Sequence, residues 1–267
     1  MRRVRLRWGV SAGLLLAAGA TMAVASSASG TVRPRVVAST PCTSASYDLT
    51  VSMTSGGSTW TGSATGQVDF VHDDLTANVT LPSNLPLPAL AGATLQVELV
   101  SGTAYVAVPA ALAGFVGGAQ WVSVALPADI NGGIDGLLAS GAQWCANSQS
   151  LLRTLRRGGT VSSLGASTSM PSASGVEVQL PGKKILSALH VPRSFTKKAG
   201  SLFGGGSVPV DVWSSGQGHL EDVAIDDAPS ISVSLQLSNT NQPVTITAPA
   251  GAVPLSPNLL TLLGGLL

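Results

Sequence analysis

The run Ile231-Ser-Val-Ser-Leu-Gln-Leu-Ser238 alternates apolar and polar residues at every step. A period of two sends successive side chains to opposite faces of a strand, so this segment lays one face on apolar material and the other in water. The pattern recurs in Tyr47–Met53, Leu75–Leu81, Leu95–Leu99, Val176–Leu180 and Val244–Thr247. Shorter β-rich pieces stand at Val68–Val71, Tyr105–Val108, Trp121–Val124, Val210–Trp213 and Val223–Ile225. About eleven strands with one apolar face each predict a largely antiparallel sheet. What fills its apolar side is the functional question.

Punctuation divides the strands. Ser55-Gly-Gly-Ser58 predicts the turn of a first hairpin over Tyr47–Phe70. Pro82, Pro86 and Pro88 forbid a helix over Leu81–Gly92 and predict a rim loop. A first helix is expected over Pro127–Ser140, although Gly132 and Gly133 weaken it. Asn147–Arg157 is a better one, with Leu151, Leu152 and Leu155 on one face, arginines at its C-terminus and Gly158-Gly159 to stop it. Pro181–Phe203 predicts one or two short helices broken at Pro192, before Gly204-Gly-Gly206.

The first 25 residues read as a signal peptide. Arg2, Arg3, Arg5 and Arg7 form a basic n-region, Gly9–Ala25 an apolar stretch, and Ala23-Val-Ala25 a small-residue cleavage site. Residues 26–41 follow as a polar leader, residues 42–250 as one domain, and residues 251–267 as an apolar tail. The chain carries 14 Lys and Arg against 13 Asp and Glu. Losing the four N-terminal arginines leaves 10 against 13, a mature charge near −3. No basic patch is interleaved with aromatics, so nucleic acid is not expected as a partner. A chain with only 10% charged residues, rich in Ser, Thr and Gly, fits a secreted protein of a high-GC bacterium.

Export bears on Cys42 and Cys145, the two cysteines of the chain. An even count in an oxidising compartment favours a bridge over free thiols. Ser39-Thr40-Pro41 lacks the apolar and small residues that precede a lipidated cysteine, which disfavours an anchor on Cys42. Catalytic patterns are weak. His72, His190 and His219 have no metal-ligand spacing, and no G-x-S-x-G elbow occurs. Ser194-Phe-Thr-Lys197 fits S-x-x-K without the companion motifs, as chance provides in a serine-rich chain. His72-Asp73-Asp74 and Asp226-Asp227 read as polar turns. Neither an enzyme nor a cofactor is expected.

The order of the pieces carries a resemblance. A Leu-Leu-x-x-Leu helix precedes Val161-Ser-Ser-Leu-Gly165 and the strand Val176–Leu180. Then come Val208-Pro-Val-Asp-Val-Trp213, a turn at Gly216–Gly218, His219-Leu-Glu-Asp-Val-Ala-Ile225, Ile231–Leu237 and Gln242-Pro-Val-Thr-Ile-Thr-Ala-Pro249. With Leu99-Val-Ser-Gly-Thr-Ala-Tyr105 and Gln120-Trp-Val-Ser-Val124 upstream, residues 45–250 resemble the LppX/LprG family of actinobacterial cell-envelope lipid-binding lipoproteins. The resemblance implies an α+β fold, a curved antiparallel half-barrel with a few helices closing an apolar cavity for acyl chains. It departs from the family in lacking the lipidated cysteine.

On that reading the cavity is lined by Leu49, Val51, Met53, Phe70, Leu95, Val97, Leu99, Tyr105 and Trp121. Leu152 and Leu155 of the helix and Ile231, Val233, Leu235 and Leu237 complete it. The implied partners are an acyl lipid or glycolipid, transient contact with a membrane surface, and an envelope lipid exporter, in a periplasm-like or extracellular location. The alternative from another class is a non-catalytic interaction or structural β-protein with a dry core.

Overall fold

The structure is a computed structural model that describes residues 42–55, 57–85, 90–126, 128–166, 172–188, 203, 206–226 and 230–255. The proposed signal peptide, the leader, residues 256–267, Ser194 and Lys197 lie outside the described residues.

Two antiparallel meanders share one open sheet. The first comprises β1 (Ser44–Ser55), β2 (Ser58–Asp69), β3 (Asp74–Thr80), β4 (Thr94–Val100), β5 (Thr103–Ala107) and β6 (Trp121–Ala125). The second comprises β7 (Thr160–Ala166), β8 (Ser174–Pro181), β9 (Ser207–Ser214), β10 (Leu220–Ile225) and β11 (Ile231–Ser238). They join in the middle, where β1 pairs with β11, and a two-residue strand β12 (Val253–Pro254) adds to the edge of β6. The order is β12-β6-β5-β4-β3-β2-β1-β11-β10-β9-β8-β7. The sheet is curved and does not close, as expected of a half-barrel.

Among the described residues three α-helices accompany it: α1 (Ala128–Ala146), α2 (Ser148–Arg156) and α3 (Gly182–Ala188). A 3₁₀ turn over Ala110–Val116, which no sequence signal announced, fills the β5–β6 connection. Helix α1 outruns the expected Pro127–Ser140 because apolar Ile134, Leu138 and Cys145 recur on one buried face despite the glycines. Helix α2 starts where Asn147 Oδ1 accepts the Gln149 amide at 3.0 Å. Its Leu151, Leu152 and Leu155 are fully buried against β8 and β9. A glycine follows because the chain passes close beneath Leu180, whose Cδ2 would stand 2.9 Å from a Cβ at Gly158.

One expected strand does not form among the described residues: Val244–Thr247 joins no ladder. It leaves β11 at the centre of the sheet, where β1 and β11 already have both neighbours, and finds a free edge only at β6. The departure is fixed by Asn239 and Asn241, which take left-handed φ of 49° and 60°. Asn241 Oδ1 accepts the Thr43 amide at 2.8 Å, and its own N–H donates to Ser44 O.

Candidate functional site

Cross-strand partners in a ladder share a face, so the register decides which side chains point inward. Leu49 lies opposite both Ala64 and Leu235, Ala64 opposite Val79, Val79 opposite Leu95, and Val97 opposite Val106. The inward positions of β1–β6 therefore include Leu49, Val51, Met53, Trp60, Val79, Leu95, Val97, Leu99, Val106, Val122 and Val124. None of the inward positions on these six strands carries a charge. Ser232, Ser234 and Gln236 face outward with Asp48, Thr50 and Ser52. The outer face is laced by hydroxyl pairs such as Ser52–Thr61 at 2.8 Å and Thr54–Thr59 at 3.0 Å.

The register corrects two site assignments. Tyr105 stands opposite Glu98 and Ser123, and Trp121 opposite Ala107, on the outward face. Neither can share a ligand with Val97. The signal was present in Trp121-Val-Ser-Val124, where Ser123 keeps Trp121 company and the valines take the other side. In Thr103-Ala-Tyr-Val-Ala107 both faces are apolar, so alternation there cannot choose.

The inward side chains divide by packing. Leu151, Leu152 and Leu155 of α2 seal the inner face of β8 and β9, where Val178, Val210 and Val212 have no exposed surface. Leu152 and Leu155, expected as lining, are packed core instead. Leu49, Phe70, Leu99, Ile231, Leu235 and Leu237 belong to the same buried cluster, and Val51, Met53 and Val233 lean on it half-buried. Leu95, Val97, Val106 and Val124 differ: they are half-buried, inward and outside that cluster. With Trp60 they stand on the uncharged inner face, outside the cluster that the leucines of α2 join. Trp60, Val79, Val106 and Val124 were not singled out from the sequence, although Val79, Val106 and Val124 sit inside runs recognised as strands.

Helix α1 crosses one end of the sheet. Asn131 packs over Gly102 in the β4–β5 turn, where a Cβ would stand 3.0 Å from Asn131 Oδ1. Further along, Cys145 is bonded to Cys42 ahead of β1, with Cα atoms 5.8 Å apart, so the expected bridge is present. Cys145 O also receives His219 Nδ1 at 3.1 Å, which ties the helix to the β9–β10 turn. At this cystine end the β2–β3 turn holds Asp69 and His72, whose Oδ2 and Nδ1 are 2.7 Å apart. The Asp69 hydrogen bond raises the His72 pKa. Burial opposes ionisation of Asp69, but the His72 ring and the Val71 and His72 amides outweigh it and lower its pKa. His72 and Asp73 stand in a turn, as expected, while Asp74 opens β3; no group of three His, Cys, Asp or Glu among the described residues is placed to hold a metal ion. No described helix is long and apolar enough to cross a membrane.

No protein-family model matches the chain, and no curated protein matches it. Solved structures do. The lipoprotein LppX of Mycobacterium tuberculosis aligns over 77% of this chain and 90% of its own, at 14% identity and a TM-score of 0.45. LprF of Mycobacterium bovis aligns over 79% and 90%, at 18% identity and a TM-score of 0.45. A LolA superfamily protein of Nitrosomonas europaea aligns over 77% and 89%, at 10% identity and a TM-score of 0.29. At these identities no residue's role carries across.

Proposed function

We propose that the protein binds acyl lipids or glycolipids against the inner face of β1–β6 and carries them within the bacterial cell envelope, without catalysis. The observation that carries this reading is the uncharged wall of Leu95, Val97, Val106 and Val124, inward yet outside the packed core. Apolar side chains in that position favour a ligand that removes them from water. Each methylene so transferred is worth about 0.8 kcal/mol gross. A chain leaving a bilayer is already dry, so the net preference over the membrane is small, as a carrier that must release its load requires.

The cystine supports an exported location, since such bridges persist in oxidising compartments. A dry-cored interaction protein is the second reading, and the sealed face of β8 and β9 favours it for that half alone. Native mass spectrometry of protein purified from its own host is the test. Co-purifying acyl lipid and exchange of it with vesicles are expected. Absence of bound lipid together with no uptake in vitro would overturn the reading.

A further inference from the structure

The positive charge of the described chain is gathered in one place. Arg153, Arg156, Arg157, Lys183 and Lys184 are the only Lys and Arg among the described residues, and all five are exposed. The first three end α2, and the last two open α3. The β7–β8 hairpin brings these ends together. Thr160 pairs with Gln179, and a Cβ at Gly158 would stand 2.9 Å from Leu180 Cδ2 and 3.8 Å from Lys184 Cδ. The remaining Lys and Arg beyond residue 42, Arg193, Lys197 and Lys198, lie outside the described residues.

Most of the described acids lie away from this cluster; Asp226, exposed just after β10, stands at the same end of the sheet. Asp69, Asp73, Asp74 and Asp135 gather at the cystine end, and α2, α3 and β7 carry no Asp or Glu. Glu177, the one acid on β8, accepts hydrogen bonds from Ser162 and Gln179 on the outer face. The register sets Pro181 and Ser207 at the same end of the sheet as Met53 and Trp60, away from the cystine. The described Lys and Arg therefore all stand at one end of the strands, with Asp226 the acid nearest them by register, while four acids gather where α1 crosses.

We propose that this basic patch is the surface by which the protein docks on an anionic membrane. A leaflet of acidic phospholipid offers a broad negative field that a cluster of five exposed cations complements without a shaped pocket. The acidic opposite pole is repelled by the same field, so the protein is oriented as well as attracted. Polynucleotide is the less suitable polyanion, because no Trp, Tyr or Phe stands on α2 or α3 for bases to stack on. The proposal depends on the lipid-carrier reading only for its purpose, and the docking is separable from it.

The test is sedimentation of the mature chain with phosphatidylcholine vesicles, with and without phosphatidylglycerol. Partition onto the anionic vesicles alone is expected, falling as salt shortens the Debye length. Arg156→Gln with Arg157→Gln, and separately Lys183→Gln with Lys184→Gln, should weaken it by about fivefold for each charge removed. Should a variant fold poorly, the salt titration of the unaltered chain still decides. Equal binding to both vesicle types, indifference to salt, or binding of a DNA oligonucleotide in place of vesicles would overturn the proposal. Uptake of a fluorescent fatty acid from solution should be the same in the variants. Its absence in every form would sink the carrier reading and leave the docking result standing.

Discussion

Gly66 has no room for a side chain, because a Cβ there would collide with the Thr76 carbonyl of the neighbouring strand. The space above it is taken by Tyr47, whose hydroxyl donates to Thr76 O at 3.1 Å and whose pKa burial pushes up. Gly66→Ala is therefore expected to open the β2–β3 ladder and lower stability by more than about 2 kcal/mol in denaturant unfolding. Tyr47→Phe loses one hydrogen bond and should cost about 1 kcal/mol. Asp222 is the other residue under stress. It is buried on the outer face, keeps a 3.4 Å contact from Gln236 Nε2, and has its pKa raised by burial from 3.8 to about 6. A carboxyl whose folded pKa is raised favours the fold when protonated. Its contribution is full below about pH 4 and lost as pH rises through about 6. Asp222→Asn should then stabilise the fold above pH 6 by at most about 3 kcal/mol, read in denaturant unfolding, and change little at pH 4. An unchanged pH profile would refute it. None of this was legible beforehand, since a glycine or an aspartate inside an alternating run does not reveal what stands on the strand beside it.

Elements were more legible than their faces. The strand runs emerged where one face is apolar and the other polar, and the α2 helix emerged from its leucine face, its C-terminal arginines and its glycine stop. Strand β7 and the 3₁₀ turn were missed as elements. Thr160-Val-Ser-Ser-Leu-Gly-Ala166 lies on a sheet edge with Val161 and Leu164 exposed, so no burial imposes a clean alternation on it. The division of the sheet into a part that α2 seals and a part outside that cluster was also hidden, because it depends on where α2 lands. It sets up a paired test. Val97→Trp should block uptake of a fluorescent acyl probe with little loss of stability. Val178→Trp, on the sealed strand with no exposed surface, should instead cost about 1–3 kcal/mol by overpacking. Equal destabilisation at both positions would argue for a dry interior throughout. The cystine acts on elements too, holding the C-terminal end of α1 to the start of β1. Replacing both cysteines by serine should lower stability by about 2–5 kcal/mol, read as a shifted denaturation midpoint.

For the whole molecule the arrangement of the two meanders has a kinetic consequence. Within each meander, successive strands pair with their neighbours in sequence, and such contacts form quickly. The exception is the seam, where Ser46 meets Ser238 and Met53 meets Ile231. The first strand is complete on one side as soon as β2 appears, yet its other side stays bare until nearly the whole domain has been made. Pulse-labelled hydrogen exchange during refolding should protect β3 and β4 before the amides shared by β1 and β11; simultaneous protection would refute this order. A chain emerging from its N-terminus therefore spends most of its synthesis with an unpaired edge on β1, the kind of surface on which strands of other chains can add. The last long strand to emerge, β11, completes the middle of the sheet, so the half-made protein is at its most adhesive just before that strand arrives.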